Sequence, residues 1–398
     1  MLKVILRVVG TLSLRSVPKC EVLQFGGTEL SGLKALTEDF VVASLPLISE
    51  QLNLRVLSRC LFTMRLSRWE YYNEFINMAQ ASVLVVWHDT NIEAYQIRQF
   101  IKVPVYCVQN GSRHDVGPVS GEGFVTSIKR RANSERLGVT KYFVFGSAEC
   151  QLLGDLTDTE FVQHGSFRAN EYAAVRTQRL TPLAVRSVGY IASLPARSSI
   201  SRGVIFENTD LCLRLREHTF SYHDFFAFDA IVVRAILNVC KVLGKEFEII
   251  AKKPQFESTE CDFFRESLGE RVNVLEHTKG DGYLSADQFD CLVTIDSTLG
   301  YEMMALGKPV AFFANRMQFL GLKDCDMTFG FPLDIDREGR FWSSATSVAE
   351  CEAFLYKWFA YIEDSSLKHD PNPFGIMNLD PKNSLLRSAI RESLTASS

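Results

Sequence analysis

The chain has 398 residues, which is enough for two or three domains of ordinary size. Hydrophobic residues make up 46% and charged residues 23%, so the composition predicts a folded protein with substantial cores and excludes a disordered one. The net charge of −4 argues against a nucleic-acid-binding protein that works through bulk positive charge.

The ten cysteines are scattered, with no CxxC pair and no zinc-finger spacing of Cys and His. This pattern predicts reduced thiols. No other group of residues has the spacing of a metal site, and we expect neither a metal nor a bound cofactor. The first residues, 1-MLKVILRVVG-10, favour a strand over a signal peptide because Lys3 and Arg7 interrupt the apolar run. No window approaches the roughly 18 uninterrupted apolar residues of a membrane helix. We therefore expect a soluble cytoplasmic protein, and contact with a membrane surface is compatible with the sequence.

Short apolar runs alternate with helical patterns along the first half of the chain. Strands are predicted at 21–25, 83–87, 103–109 and 142–146, and helices at about 67–80, 91–101 and 147–154. Such alternation is typical of a parallel sheet covered by helices. The runs 83-VLVVW-87 and 103-VPVYCVQ-109 are almost continuously apolar, which indicates strands buried on both faces.

The second half repeats this organisation after a mixed polar stretch, 172–186, which is the predicted linker. Strands are predicted at 187–193, 246–252, 272–276, 291–295 and 310–313, and helices at about 223–243, 258–268, 299–306 and 347–363. The sequence therefore predicts an α/β protein with two Rossmann-like domains facing a cleft. Ligands of such sheets bind beyond the carboxyl ends of the strands, so the loops after the strands are the candidate sites.

The stretch 292-LVTIDSTLGYE-302 runs from a buried strand directly into a helix. A helix that begins there points free backbone N–H groups into the crevice, and Ser297 and Thr298 add hydroxyl groups, a combination that suits a phosphate or diphosphate. Gly300 would let the ligand approach the backbone closely. Glu302, one turn further, could accept hydrogen bonds from ribose or sugar hydroxyls. The alternative is that Asp296 or Ser297 only caps the helix.

A second strand end carries two adjacent basic residues, Lys252 and Lys253, followed by Pro254. An ammonium group at this edge could stand beside the phosphate pocket of a neighbouring strand. The alternative is a strand that simply reaches solvent.

A third strand end, 107-CVQNGSRHD-115, forms a tight turn in which Asn110, Arg113 and His114 could reach a ligand, or a plain turn without function. A fourth, 84-LVVWHDTNIEA-94, carries Asp89 and Glu93. A carboxylate such as Asp89 could act as a general base or could cap the following helix.

A fifth strand end, 161-FVQHGSFRANE-171, carries Ser166 and Arg168 as candidates for contact with an anion. The alternative is that these residues only serve the nearby linker. The sequence contains no Walker loop, no G-x-G-x-x-G and no G-x-S-x-G elbow, so phosphate recognition would depend on helix ends and basic side chains.

Several motifs occur together: 109-QNGSR-113, 143-FVFGSAE-149, 164-HGSFRANE-171, 295-IDSTLGYEMMALGKPVAFF-313, 329-FGFP-332 with 339-GRFW-342, and 380-DPKN-383. In order and content, this set resembles a bacterial family of surface-carbohydrate (O-antigen) biosynthesis proteins. That family is similar to glycosyltransferases of the GT-B architecture. The resemblance covers roughly residues 84 to 390.

The resemblance implies a division of labour between domains. Residues 1–180 would hold the acceptor, residues 181–345 would bind a nucleotide sugar, and a helical segment at 346–398 would pack back on the first domain. Ser297 and Thr298 would take phosphate, Glu302 would take hydroxyl groups, and Lys252 and Lys253 would lie near the nucleotide.

The implied activity is metal-independent transfer of a sugar to a glycan or lipid-linked glycan acceptor. The implied location is the cytoplasm, and peripheral contact with the cytoplasmic face of the inner membrane is compatible with it. Asp89 is the predicted general base, with Glu93 and His114 as further candidates. The alternatives are a GT-B-like polyol-phosphate transferase, a sugar-nucleotide epimerase, or a non-catalytic protein that binds a nucleotide sugar.

Overall fold

The computed structural model describes residues 11–30, 32–87, 89–111, 124–176, 184–192, 206–207, 212–215, 218–251, 257–269, 272–275, 282–321, 339–364 and 375–397. The chain divides into two compact units. Unit 1 comprises Met1–Gly111, Ser127–Ala174 and Asn378–Ser398, and unit 2 comprises Ser112–Thr126 and Val175–Met377. The chain thus enters unit 2 at 111/112 and 174/175 and returns to unit 1 at 126/127 and 377/378. The predicted domain boundaries were at 180 and 346.

Unit 1 contains a six-stranded parallel sheet, and two further short strands, β1 and β4, pair with each other in parallel. The strands of this part are β1 (Thr11–Ser13), β2 (Val22–Phe25), β3 (Val42–Leu45), β4 (Gln51–Asn53), β5 (Val83–Val86), β6 (Val105–Val108), β7 (Lys141–Val144) and β8 (Glu160–Gln163). The spatial order is β3-β2-β5-β6-β7-β8. Both β5 and β6 are buried at every position, which explains their continuous apolar sequences.

Helices connect these strands, as parallel neighbours require. Their bounds are α1 (Leu54–Phe62), α2 (Arg68–Ala79), α3 (Ile92–Gln96), α4 (Phe124–Glu135), α5 (Ser147–Leu152) and α6 (Phe167–Val175). Short polar residues begin several of them. Asn53 Oδ1 accepts a hydrogen bond from Arg55 N at 3.0 Å, and Ser67 Oγ accepts one from Glu70 N at 3.1 Å.

Unit 2 contains a five-stranded parallel sheet and a small antiparallel sheet. The strands are β9 (Ser187–Ile191), β10 (Phe206–Glu207), β11 (Cys212–Leu215), β12 (His218–Ser221), β13 (Glu246–Ile250), β14 (Val274–Leu275), β15 (Cys291–Thr294) and β16 (Val310–Phe312). The parallel sheet has the order β14-β13-β9-β15-β16, and the antiparallel one has the order β10-β11-β12.

The helices of this part are α7 (Tyr222–Leu243), α8 (Glu257–Leu268), α9 (Gly282–Asp287), α10 (Thr298–Ala305), α11 (Arg316–Phe319) and α12 (Val348–Ile362). The longest, α7, begins at Ser221, whose Oγ accepts from Asp224 N at 3.1 Å, and ends at Gly244 with φ +65°. Its apolar face packs with that of α12 in the core of unit 2. Within the described ranges, no helix combines the length and the apolar composition needed to cross a bilayer.

The last helix, α13 (Ser384–Ser397), returns the chain to unit 1. Its residues Leu386, Ala389 and Ile390 belong to the same buried cluster as Val83 of β5. Tyr106 Oη and Ser393 Oγ lie 2.7 Å apart, which ties the helix to β6. The predicted return of a C-terminal helix to the first domain is confirmed, whereas α12 lies in unit 2.

The predicted α/β fold with parallel sheets is confirmed, and each predicted strand from 21–25 to 310–313 has a counterpart within a few residues. Several elements were not predicted from the sequence: strands β1, β3, β4 and β10–β12, and helices α1, α4, α6, α9 and α11. Most of them are short, so each offers few apolar positions from which a period can be recognised.

Candidate functional site

The strand order of unit 2 singles out one position on its sheet. In chain order the five strands read 3-2-1-4-5, so the connections leave β9 and β15 towards opposite sides. Parallel α/β sheets bind ligands at such a switch point, beyond the carboxyl ends of the two central strands. β15 ends at Thr294, so the switch point of unit 2 includes the predicted residues 296–298.

Helix α10 begins directly at this switch point. Ser297 is its N-cap residue with φ −75° and ψ 127°, and the Ser297 side chain makes no capping hydrogen bond. The first N–H groups of a helix have no intrahelical partner, and an uncapped helix start leaves them available to an anion. Ser297 and Thr298 are both partly exposed. The capping alternative considered for Ser297 therefore does not hold for its side chain.

Gly300 has a packing role that the sequence analysis did not anticipate. A Cβ atom at this position would lie 2.7 Å from Thr294 Cγ2 and 2.9 Å from Phe312 Cε1. The missing side chain thus lets α10 lie close against β15 and β16. This contact gives a reason for the glycine other than the predicted close approach of a ligand.

Glu302 lies in the second turn of α10 and is 9% exposed. A carboxylate with so little exposure can accept hydrogen bonds from hydroxyl groups only on the small part of its surface that is open. The predicted basic partners, Lys252 and Lys253, fall outside the described residues.

A buried ionic cluster lies behind the start of α10. Arg316, at the beginning of α11, is 4% exposed and places Nη2 3.0 Å from Asp229 Oδ2 and 3.5 Å from Asp296 Oδ2. Asp229 Oδ1 accepts a hydrogen bond from Tyr190 Oη at 2.7 Å. The chain Tyr190–Asp229–Arg316–Asp296 therefore connects β9, α7 and α11 to the residue that precedes Ser297.

In this cluster one guanidinium group, that of Arg316, faces two carboxyl groups. Burial raises the pKa of Asp229 to about 6, although the positive charge of Arg316 acts in the opposite direction. Because Arg316 faces two carboxylates, its charge is already compensated. We conclude that Arg316 orients the strand end and does not supply a free positive charge to a ligand.

In unit 1, the predicted general base Asp89 is 1% exposed. Its Oδ2 accepts from Tyr142 Oη at 2.9 Å, its Oδ1 accepts from Asn110 N at 3.4 Å, and its carbonyl accepts from Tyr95 Oη at 2.6 Å. These contacts favour a structural role for Asp89, because a general base must reach the proton that it removes.

Glu93 stands at the start of α3, capped by Asn91, and its side chain is 30% exposed. Its Oε1 lies 2.7 Å from Arg68 Nη1. Asn110 has an exposed side chain after β6, while the adjacent Gln109 bonds through Nε2 to the buried Glu149 Oε1 at 3.2 Å. The predicted residues Arg113 and His114 fall outside the described part of the chain.

Two of the family-like motifs meet each other in unit 1. Asn170 Nδ2 donates to His164 O at 2.9 Å and to Asn383 Oδ1 at 3.0 Å, and Asp380 N donates to Asn170 Oδ1 at 2.8 Å. Asn383 Nδ2 donates to Phe167 O at 3.1 Å. The motifs 164-HGSFRANE-171 and 380-DPKN-383 thus fasten the C-terminal segment to α6, a role that the sequence analysis missed. We call this arrangement the 164–383 junction.

His164 is fully buried within the 164–383 junction. Burial lowers the pKa of His164 to about 4, although Asp380, with Oδ2 3.6 Å from His164 Nε2, acts to raise it. The imidazole is therefore neutral at pH 7.

The predicted anion contacts beside the junction differ in exposure. Ser166 is 5% exposed and its Oγ accepts from Ala169 N at 3.5 Å, so it serves the start of α6. Arg168 is exposed and its Cζ lies 5.6 Å from the centre of the Trp87 ring. Of the two, Arg168 alone offers a charge at the surface.

Unit 1 has its own switch point. Its strands read 2-1-3-4-5-6 in chain order, which places the switch between β2 and β5. Gly26 and Gly27 follow β2 with φ of +85° and +84°, and Gly27 N donates to Glu50 Oε2 at 2.8 Å. These glycines were not among the predicted site residues, although a Gly-Gly pair directly after a strand was the available signal. Among the residues that the structure describes, no group of three His, Cys, Asp or Glu side chains could hold a metal ion.

Several known structures are similar to this chain at low sequence identity. A variant of the wall teichoic acid polymerase TagF gives a TM-score of 0.50 at 14% identity over 95% of this chain and 91% of that chain. S. aureus MnaA bound to UDP gives 0.49 at 13% identity over 97% of each chain. The Methanocaldococcus jannaschii UDP-GlcNAc 2-epimerase, in complex with UDP-GlcNAc and UDP, gives 0.47 at 11% identity over 96% and 99%. The chain has the GT-B type of fold, with two Rossmann-like domains.

Among proteins with curated functions, none matches this sequence. The sequence model of one family, described as "putative O-antigen biosynthesis protein", matches residues 106–394, which is more than half of the chain. The motifs that suggested this resemblance from 109-QNGSR-113 to 380-DPKN-383 all lie within the matched range. The chain belongs to this family of O-antigen biosynthesis proteins.

Proposed function

We propose that the protein transfers a sugar from a nucleotide-activated donor to an O-antigen or capsule acceptor. The observation that carries this proposal is the start of α10, where Ser297 makes no capping bond at the switch point of unit 2. Membership of an O-antigen biosynthesis family and the GT-B type of fold support it.

In the proposed reaction, Ser297, Thr298 and the first N–H groups of α10 bind the diphosphate of the donor. Negative charge grows on the leaving nucleotide as the glycosidic bond breaks, and fixed N–H dipoles stabilise it most in the transition state. Lys252 and Lys253 are the proposed cations beside this phosphate. Glu302 is proposed to accept hydrogen bonds from ribose or sugar hydroxyls.

The acceptor is proposed to bind to unit 1, near Asn110, Arg168 and the glycines that follow β2. The general base is then Glu93 or His114, because Asp89 is enclosed by its own hydrogen bonds. The proposed reaction needs no metal ion, since helix N–H groups and lysines take the developing charge.

A thermal-shift screen against CMP-, UDP-, GDP- and dTDP-sugars tests donor binding, because a ligand of the native state raises the Tm by mass action. A transfer assay with the selected donor and a lipid-linked glycan acceptor, with and without EDTA, then tests the reaction. We expect one donor class to raise the Tm and transfer to survive EDTA. Conversion of the donor without an acceptor would instead indicate an epimerase, and loss of transfer in EDTA would contradict the metal-independent reaction.

The double variant Ser297→Ala, Thr298→Ala tests the site itself. We expect about tenfold weaker donor binding, since two hydroxyl contacts are lost, with little change in Tm. The matched control is Ser347→Ala, because Ser347 forms a capping box with Glu350 at the start of α12. That change should lower stability by about 1 kcal/mol and leave donor affinity unchanged. Unchanged donor affinity in the double variant would contradict the site.

A further inference from the structure

The turn between α1 and α2 exposes a continuous run of residues, 61-LFTMRLSR-68, which we call the 61–68 turn. Three of its apolar side chains stand out: Phe62 is 89% exposed, Met64 is 85% exposed and Leu66 is 63% exposed. Large apolar side chains grouped in this way on a surface usually mark an interaction site.

The backbone of the 61–68 turn is fixed. Arg65 N donates to Cys60 O at 2.9 Å and Met64 N donates to Leu61 O at 3.1 Å, which is the Schellman arrangement at the end of a helix. Met64 occupies its left-handed position with φ 56°, where glycine is normally preferred. Met64 therefore exposes an apolar side chain at a position where the core does not need one and where the backbone would favour glycine.

Arginines surround these apolar side chains. Residues 54–69 contain Arg55, Arg59, Arg65 and Arg68 but no Asp or Glu. Arg59, Arg65 and Arg68 approach glutamates outside this stretch, yet their side chains remain 62%, 66% and 48% exposed. Within the described part of the chain, Arg55 has no ion-pair partner and is exposed. The surface thus combines an apolar tip with the exposed Arg55 and with three arginines in exposed ion pairs, which are weak in water and leave these arginines able to exchange partners.

We infer that the 61–68 turn docks the protein on an anionic lipid bilayer. Phe62, Met64 and Leu66 enter the interface between headgroups and acyl chains, and the surrounding arginines contact lipid phosphates. A second copy of this chain is a poorer occupant, because a two-fold contact would place the same arginines against each other. This inference is independent of the proposed function, and it requires contact with the membrane surface only.

Vesicle sedimentation with the full chain tests the inference. The probes are vesicles of phosphatidylcholine alone and vesicles that contain about one third phosphatidylglycerol. We expect binding to the anionic vesicles at least about tenfold tighter than to the neutral ones, and weaker binding as salt screens the arginines. Absence of binding to anionic vesicles would overturn the inference.

Variants distinguish binding through this surface from non-specific adsorption of the protein to vesicles. Phe62→Ser with Leu66→Ser should reduce binding about tenfold, and Met64→Gly should reduce it while keeping or raising the Tm, because glycine suits the left-handed position. Arg55→Gln should reduce the salt dependence of vesicle binding.

The matched control is Val242→Ser, since Val242 is 71% exposed on α7 in the other unit, and this variant should bind vesicles as the parent protein does. Two results would contradict a lipid-docking role. One is equal vesicle binding by the Phe62/Leu66 variant and the control. The other is a dimer, detected by light scattering, that dissociates in the Phe62/Leu66 variant but not in the control.

Discussion

The carboxyl ends of the two parallel sheets use polar residues in different ways. In unit 1, Asp89 is enclosed by Tyr142, Tyr95 and the backbone of Asn110, so its hydrogen-bonding capacity serves the fold. In unit 2, the buried Arg316 fixes Asp296 from behind, while the next side chain, Ser297, makes no capping bond. The difference teaches that a polar residue after a strand is a site candidate only when neighbouring groups do not already occupy its hydrogen-bonding atoms.

This contrast also explains why a bound anion is proposed for unit 2. Its cluster keeps the start of α10 in place without using the groups that a ligand would need. Support by a rigid surrounding shell is what a precise binding site requires. Substitutions that remove the Arg316 cluster in unit 2, or the hydrogen bonds in unit 1, test this contrast separately in each unit.

The largest effect is expected from Arg316→Leu. This change leaves Asp229 buried without its positive partner, so we expect a loss of about 3–5 kcal/mol in the free energy of unfolding. Urea denaturation measures it. Arg168→Leu is the control, because Arg168 is exposed and should cost less than about 0.5 kcal/mol. Similar losses for both variants would mean that the Arg316 cluster is not the support that we describe.

The pH dependence should have opposite signs in the two units. The pKa of His164 is lowered to about 4, so the unfolded state binds the proton first and unit 1 loses stability as the pH falls from 6.5 towards 4. The full effect is about 3 kcal/mol. The pKa of Asp229 is raised to about 6, so unit 2 gains stability as the pH falls through 6 towards 3.8.

Hydrogen exchange followed separately in β8 and in α7 measures this difference, whereas a whole-chain melting curve would average the two signs. His164→Asn should abolish the loss in unit 1 and leave the gain in unit 2. Protection that changes in the same direction in both elements would refute the assignment.

A smaller effect is expected at the 164–383 junction. Asn170→Ala removes bonds to Asn383 and Asp380 and leaves buried polar groups unpaired, which should cost about 2 kcal/mol. The exchange of amides in α13 should rise first, since the junction fastens that segment. Asn238→Ala is the matched control, because Asn238 bonds Glu352 at an exposed site. If α13 remains as protected as in the parent protein, the junction does not hold it.

The smallest effect is expected from Gly300→Ala. A methyl group there meets Thr294 and Phe312 at less than 3.0 Å, so the helix must shift at a cost of about 1–2 kcal/mol. Calorimetry measures it, with Gly339→Ala as the control, because no atom lies within 4 Å of a Cβ at Gly339. A neutral Gly300→Ala would remove the packing reason for this glycine and favour the ligand-approach role.

Much of the fold could be predicted because buried parallel strands such as 83-VLVVW-87 carry a strong, local apolar signal. The position of α10 after β15 followed from the same signal. The roles of individual residues did not follow, because they depend on partners far away in sequence. Asp89 is satisfied by Tyr142, and Asn170 by Asn383, at separations that no local pattern reveals.

Arg316 illustrates the limit most clearly. It lies at the start of a four-residue helix with no motif around it, and its importance comes from Asp229, 87 positions earlier. The family resemblance selected the right segments, including 164-HGSFRANE-171 and 380-DPKN-383, but it could not separate a contact between the two segments from contacts with a ligand.

The course of the chain through unit 1 has a consequence for biogenesis. The sheet strands of this unit are made early, but Leu386, Ala389 and Ile390 cover part of it and are translated after all of unit 2. Part of the apolar face of this sheet therefore stays exposed in the nascent chain until α13 has been synthesised. A nonsense mutation between the codons for Met377 and Leu386 should accordingly disable the first-made unit, even though it removes none of the strands of that unit.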